Sequence, residues 1–308
     1  MQSVTKVPIG FDQLKEVCQA LLGRNLASME AFDDGWFNAA YGLVFDSGEE
    51  AVIKIAPPDD VEVMTYERDI IRGEHEVMAL LQGLISLPKL IDSDLKGTHI
   101  GRPFIIMEKL KGSALNKVID KLPEAAITEI RHTLGQTVRA IHAQKGETFG
   151  MIQGPRFESW PEAFTHLFSN VIEDGRRKAV DLPYAECLEL LGEPQDYLSE
   201  VAEPCLVHWD LWDGNVFVNP ESGQFVGVID FERALYGDPL IEFCAMTLND
   251  DVKAGYGEFD FDSESAIARR RIYHLYLFLI MSIEGQYRHF VDQSSTAWAR
   301  EKLAEVLS

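Results

Sequence analysis

A strand, a turn and a second strand are written into NVFVNPESGQFVGVID, residues 215–230, and no other stretch of the 308-residue chain limits the fold as tightly. Val216, Phe217 and Val218 form one strand, Asn219-Pro220-Glu221-Ser222-Gly223 holds the residues of a turn, and the chain returns from Gln224 to Asp230. Folding about that turn sets Asn215 level with about residue 228 on the returning strand. Asp230 then lies within ~7 Å beyond it, at ~3.4 Å per residue. An amide oxygen and a carboxylate are therefore expected at one end of the hairpin. Two such oxygens suit a hard cation, and Mg²⁺ is well served by one or two protein oxygens together with phosphate oxygens. Asp210 precedes Asn215 in the segment leading into the hairpin, where a further carboxylate can accept a proton or a hydrogen bond from a hydroxyl.

The rest of the chain divides in character near Leu110 to Ser113. Before that point, Phe11, Leu14, Val17, Cys18, Leu21 and Leu22 recur at helical spacing. FNAAYGLVFDSGEEAVIKIA reads as two strands joined at DSGEE. VMTYERDIIRGEHEVMALLQGL reads as one helix and RPFIIMEKLKG as a buried strand ending at a glycine. Beyond it, five segments read as helices: LPEAAITEIRHTLGQTVRAIHAQ, SWPEAFTHLFSNVIEDGRRKAV, YAECLELLGEPQDYLSEV, SESAIARRRIYHLYLFLIMSIEGQYRHFV and STAWAREKLAEVL. The expected class is α+β with two lobes. Residues 1–110 make a small antiparallel sheet with a helix against it, and residues 111–308 a larger, mostly helical lobe, with a ligand cleft between them.

Charge and composition narrow the partners. Fifty Asp and Glu against 28 Lys and Arg leave a formal net charge of −22, which speaks against a nucleic-acid backbone. The start, MQSVTKVPIGFDQLKEVCQALL, has neither the basic nor the apolar region of a signal peptide. YHLYLFLIMSIEG is too short and too polar-flanked to span a bilayer. Cys18, Cys187, Cys205 and Cys244 lie far apart with no C-x-x-C. These features predict a reduced, cytoplasmic protein without a nucleic-acid or membrane partner.

A lysine stands in the apolar run AVIKIA. Val52, Lys54 and Ala56 share one face of that strand, and Ile53 and Ile55 share the other. An ammonium so placed needs a carboxylate. Glu74 falls in the stripe Ile70, Val77, Met78, Leu81, on the buried side of its helix, and Glu67 is the second candidate two turns earlier. Further on, FIIMEKLKG runs out toward the lobe junction, where backbone groups of Glu108 and Leu110 could read a base edge. The segment DDGWFNAAYG, with only Gly35 and Gly42, is a candidate cover for phosphates through its N–H groups.

His208-Trp209-Asp210 through Asn215, followed by Asp230-Phe231, follows the H-x-D-x-x-x-x-N and D-F pattern of a phosphotransferase loop. With AVIKIA, GEHEVMALL, PFIIMEKLKGSAL, LGQTVRAIHA and GVIDFERALYGDPLIEF, the chain resembles the aminoglycoside phosphotransferase superfamily over nearly its whole length. That kinase-like fold also serves choline, homoserine, methylthioribose, macrolide and fructosamine kinases. The resemblance implies Asp210 as catalytic base, Asn215 and Asp230 as Mg²⁺ ligands, and Lys54, positioned by Glu74, on the phosphates of ATP or GTP. It implies His208 as a brace of the loop, and Asp238 as a second brace whose carboxylate supports the same loop. Trp209 and Trp212 depart from the common pattern. Trp212 is similar to the DLWGGN of fructosamine kinases, and either ring can pack in the core or shape the acceptor pocket. No long activation segment fits between Asp230 and Gly237-Asp238-Pro239, which speaks against a regulated protein kinase.

For the acceptor, residues 158–203 hold eleven acids against Arg176, Arg177 and Lys178, and residues 250–264 six acids against Lys253. Such surfaces suit a cationic small molecule such as an aminoglycoside, and equally suit solvation. Three readings follow: a small-molecule hydroxyl kinase, a kinase of protein-bound sugars, and a non-catalytic nucleotide-binding relative.

Overall fold

The computed structural model describes residues 3–308. It opens with helix α1 (Phe11–Leu22), whose Leu14, Val17 and Cys18 are buried, closed by Gly23 in the left-handed region at φ 63°. Strands β1 (Leu26–Ala31), β2 (Ala39–Phe45) and β3 (Glu50–Ile55) follow, then helix α2 (Ile70–Leu81) and strands β4 (Leu90–Asp94) and β5 (Phe104–Glu108). The five strands make one antiparallel sheet in the order β1-β2-β3-β5-β4.

The remaining chain is largely helical. In order it forms β6 (Ser113–Ala114), α3 (Glu124–His142), β7 (Gly150–Met151), α4 (Trp160–Arg177), α5 (Tyr184–Gly192) and α6 (Gln195–Leu198). Then come β8 (Cys205–Val207), the hairpin β9 (Val216–Val218) and β10 (Phe225–Val228), and β11 (Leu235–Gly237). Helices α7 (Asp250–Tyr256), α8 (Glu264–Arg288) and α9 (Ser294–Leu307) close the molecule. Two small sheets, β10-β9-β6 and β7-β11-β8, whose strands interleave along the chain, carry the loops of interest at their ends.

The alternation of β3 decides how the two parts meet. Ala51, Ile53 and Ile55, with Leu43, Phe104 and Ile106, pack on α1 in one apolar cluster. The opposite face, with Ile105 and Met107, meets Val77, Met78 and Leu81 of α2, and this second cluster continues through Ile130, Phe164 and Tyr276 of the helical part. The core therefore runs unbroken across residue 110, and α2 packs between the sheet and the 3₁₀ turn Phe231–Arg233. No helix among the described residues is long and apolar enough to cross a membrane.

The structure departs from the sequence expectations in several elements. β1 and α7 were not anticipated. The single helix expected through Val63–Leu84 is interrupted: Thr65–Glu67 form a 3₁₀ turn, Arg68 is extended, Asp69 turns left-handed at φ 56°, and α2 starts only at Ile70. Long-range bonds impose this break. Thr65 gives its N–H (2.7 Å) and hydroxyl (2.8 Å) to the buried carboxylate of Asp174 on α4. Glu67 folds back onto the Met64 N–H at 2.8 Å. The helix expected over 184–201 splits into α5 and α6 around Pro194, which has no N–H to give to a helical turn.

Candidate active site

The hairpin brings its two ends together, one residue out of the expected register. Val216 faces Val228, so Asn215 stands opposite Ile229 rather than 228, and the Ile229 N–H donates to the Asn215 carbonyl at 3.0 Å. An irregularity between Phe225 and Gly227 accounts for the shift. Asp230 follows at φ 74°, and Trp209, beside Asp210, sits at φ 59°. Non-glycine residues in this region are costly and persist where their surroundings over-determine them.

Three groups hold the Asp210 loop. His208 accepts the Asp210 N–H on Nδ1 at 3.2 Å and, in that tautomer, donates Nε2–H to the Ile229 carbonyl at 2.9 Å. It thus staples the loop to the strand that delivers Asp230. Burial lowers its pKa, against the pull of Glu242. Glu242, fully buried, accepts the N–H groups of His208 (2.8 Å) and Trp209 (2.9 Å). Arg131 of α3 makes a bidentate pair with Asp213 at 2.5 and 2.7 Å, clamping the far side of the loop.

Asp238 does not brace this loop, contrary to the expectation. Its oxygens accept from the Leu240 N–H (3.0 Å), from Arg269 (2.6 Å) and from the Tyr273 hydroxyl (2.7 Å), fastening the 3₁₀ turn Pro239–Cys244 to α8. The bracing carboxylate is Glu242, in the same GDPLIEF segment, which the sequence reading passed over.

Asn215 donates Nδ2 to the Asp210 carbonyl (2.8 Å) and carboxylate (3.1 Å), which leaves its amide oxygen without a hydrogen-bond partner among the described residues. Burial pushes the Asp210 carboxyl up to about 7. Asp230 and Glu284 add to the rise, and Arg233 and the Asn215 bond oppose it.

Across from this loop, Lys54 meets Glu74 at 2.7 and 2.9 Å, Asp230 at 2.6 Å and Glu232 at 3.5 Å. Burial disfavours the ammonium, yet Asp230, Glu74 and Glu232 hold its pKa well above the ordinary value. Asp230 goes the other way: burial resists its ionisation, but Lys54 draws it below the usual carboxylate range. Glu232 is pushed up to about 8 by burial and by Asp230, with Lys54 opposing. Oxygens of Glu74, Asp230 and Glu232 all lie within 4.8 Å of one another. Three carboxyl groups thus face one ammonium; their mutual repulsion raises Glu232, and a divalent cation with oxygen ligands would offset it. Glu232, and Asn38, whose Nδ2 donates to it at 2.7 Å, were not singled out in the sequence.

Other expectations fare differently. Glu67 is not a partner of Lys54: lying in the 3₁₀ turn, it pairs with Arg288 of α8 at 2.5 Å, both side chains almost wholly buried. Glu284 joins Arg288 (3.1 Å) and Arg233 (3.3 Å) in the same network. At the end of β5, the Glu108 N–H is taken by the Lys89 carbonyl at 2.8 Å, so it cannot donate to a base edge. Leu110 has no backbone partner among the described residues. The segment before β2 is tied down from the N-terminal side, with Thr5 bonded to the Phe37 carbonyl (2.7 Å) and Lys6 to those of Phe32 (2.9 Å) and Gly35 (3.0 Å). Gly42 lies within β2 under the Phe32 ring, outside the turn. The two tryptophans separate. Trp209 is fully buried and stacked on Tyr276 (5.2 Å, 10°), whereas Trp212 is 42% exposed, its ring lying over Gly214.

Residues 28–273 match the phosphotransferase enzyme family (APH). The chain belongs to that family. Solved structures at low identity share the fold over nearly full length. A structure described as a fructosamine-3-kinase from Thermobifida fusca superposes with TM-score 0.69 at 18% identity, covering 97% of this chain and 99% of that one. An aminoglycoside phosphotransferase APH(4)-Ia in complex with AMP-PNP and hygromycin B gives 0.66 at 16% identity (96% and 98% covered). The GDP and kanamycin complex of APH(2")-IIIa gives 0.63 at 18% (95% and 97%). The α+β, kinase-like architecture expected from the sequence, a small antiparallel sheet followed by a mostly helical part, is the one these members share.

Proposed function

We propose that this phosphotransferase moves the γ-phosphoryl group of ATP or GTP to a hydroxyl of a small molecule, with Asp210 as the base. The carrying observation is the juxtaposition of a buried, raised carboxylate at Asp210 with the Lys54–Glu74–Asp230 cluster across the hairpin mouth. A base with a pKa close to neutral is well matched to receive a hydroxyl proton. Nucleotide binds between residues 1–110 and 111–308. Leu110 offers its free N–H and C=O to the base, and Lys54, held by Glu74, leaves Asp230 for a phosphate oxygen.

The donor set fits Mg²⁺: the free amide oxygen of Asn215, the Asp230 carboxylate and the surplus acid Glu232 are the residues to hold it. When bound there, Mg²⁺ supplies neutralisation of charge on the phosphates. Asp210 orients the acceptor hydroxyl and takes its proton. His208, Glu242 and Arg131 keep the loop from relaxing, so that positioning and charge, the main sources of catalysis in a loose phosphoryl transfer, are prepared in advance.

For the acceptor the lead is an amino sugar such as an aminoglycoside, supported by the acidic helices α4–α7 and by the aminoglycoside complexes of the structural relatives. A sugar of the fructosamine type is the second reading, favoured by the exposed Trp212 ring, which stands two positions after Asp210 in the same loop, lies over Gly214 and matches the tryptophan in the DLWGGN of fructosamine kinases. A coupled nucleotide-consumption screen over aminoglycosides, other antibiotics, amino alcohols, free sugars and glycated lysine tests it, with Asp210→Asn as the blank. Acceptor-dependent turnover lost in that variant supports the proposal. Turnover unchanged in Asp210→Asn refutes it.

A further inference from the structure

Outside the cleft, the segment 144–146 runs beside the start of β8. The Gly146 N–H donates to the Pro204 carbonyl and the Leu206 N–H to the Gln144 carbonyl, both at 2.8 Å, and Lys145 and Cys205 are bridge partners between them. The backbone therefore sets these two side chains opposite one another, as cross-strand neighbours. Lys145 Nζ lies 2.8 Å from Cys205 Sγ, a separation that one bridging oxygen atom can span.

Access is lopsided. Cys205 is only 4% exposed, while the Lys145 side chain is 46% exposed. A small oxidant reaches the junction along the lysine, and a bulky thiol or a second protein cannot reach the sulfur. Glu203 stands 3.5 Å from the ammonium, placed to take the proton that must leave before the nitrogen reacts. Burial raises the Cys205 thiol and the lysine contact opposes that rise. Among the described residues no other cysteine is hydrogen-bonded to a lysine; Cys244, for comparison, points at the carbonyls of Leu240 and Arg270.

We propose that Lys145 and Cys205 form a redox-modification site at which a hydroperoxide joins Nζ to Sγ through a single oxygen. The first hydrogen peroxide oxidises the thiol to a sulfenic acid, forming the S–O bond, breaking S–H and O–O, and releasing one water. The second oxidises the neighbouring amine: an N–O bond forms, an N–H and the sulfenic O–H are lost, and the peroxide leaves as two waters. One thiol, one amine and two peroxides thus give one S–O–N link and three waters. A dithiol reductant reverses it. The link would tie residue 145 to the first residue of β8, the strand whose far end carries His208.

The test is mass spectrometry of the full chain after hydrogen peroxide. The expected product is about 14 Da heavier, one oxygen gained and two hydrogens lost, distinct from the ~16 Da steps of sulfenic acid and methionine sulfoxide. Tryptic digestion should give a peptide joining the segments around residues 145 and 205, released by dithiothreitol. Lys145→Arg and Cys205→Ser should each remove that peptide while the protein stays folded by circular dichroism. The proposal is overturned if Cys205 carries only ~16 or ~32 Da additions, if it enters a disulfide-linked dimer, or if it stays unmodified at peroxide levels that oxidise the methionines.

Discussion

Replacing Glu242 by glutamine keeps the shape of the side chain and removes what the loop depends on. The native carboxylate is fully buried, accepts the N–H groups of His208 and Trp209 at 2.8 and 2.9 Å, and lies 3.5 Å from His142. A glutamine has one carbonyl oxygen. It can serve one of the two N–H groups, and its NH₂ must then face the other. A hydrogen bond to a charged group contributes about 1.5–3 kcal/mol, and an unpaired buried donor costs about 1–3 kcal/mol. Losing one such bond and leaving one donor unpaired therefore costs about 4 kcal/mol, within a range of about 2.5–6 kcal/mol. For a chain of this length that lowers Tm by roughly 4–9 °C. The left-handed peptide at Trp209 is then free to relax, and Asp210 moves with it. Thermal unfolding should show the drop in Tm. Steady-state kinetics with the acceptor found in the screen should show kcat reduced at least about tenfold, with KM for the nucleotide nearly unchanged. A variant with native Tm and native kcat would refute the assignment of Glu242 as the brace.

Asp210→Asn should abolish transfer and stabilise the fold at neutral to alkaline pH. The folded Asp210 carboxyl, pushed up to about 7, stands above its ordinary value of 3.8. The stability it contributes is present in full below about pH 4 and is lost as pH rises through about 7. Chemical denaturation should thus show the variant ahead by up to a few kcal/mol at pH 8, with the gap closing toward pH 4; a constant gap contradicts the reading. Glu67→Ala leaves Arg288 buried with Glu284 as its remaining carboxylate and the Tyr66 hydroxyl beside it, and should cost about 3–5 kcal/mol in denaturant unfolding; a loss below about 1 kcal/mol would show the pair to be dispensable. Lys54→Met removes the ammonium that faces three carboxyl groups and should weaken nucleotide binding by calorimetry at least about tenfold; unchanged affinity would remove Lys54 from the phosphate site.

The parts of this structure that could be read from sequence are those decided by local pattern. Alternation in AVIKIA placed Lys54 on one face of β3, and the stripe around Glu74 placed that carboxylate on the buried side of α2, which made Glu74 the lead partner while leaving Glu67 open. The hairpin was visible for the same reason, but its register was not, because the irregularity near Phe225 leaves no mark in composition. Contacts between distant residues escaped. Glu242 supports the loop from 33 positions beyond Trp209, and Asp238 looked equally suited until Arg269, Tyr273 and the Leu240 N–H were seen to saturate it. Glu67 fell on a plausible helical face, yet Asp174 on α4 broke that helix and turned the side chain to Arg288. Pro194 marks the break between α5 and α6 in the sequence, but Tyr197 and Leu198 resume the apolar spacing after it and mask the interruption. Nothing local separates a buried Trp209 from an exposed Trp212, because what distinguishes them is Tyr276, on α8.

A crystal structure with Mg²⁺ and a non-hydrolysable triphosphate tests the central claim most directly. The metal is expected on the Asn215 amide oxygen and the Asp230 carboxylate. Lys54 should keep Glu74 and exchange Asp230 for a phosphate oxygen, and the γ-phosphate should face Asp210. A metal bound without Asn215 and Asp230, or phosphates lying away from Lys54 and Asp210, would contradict it.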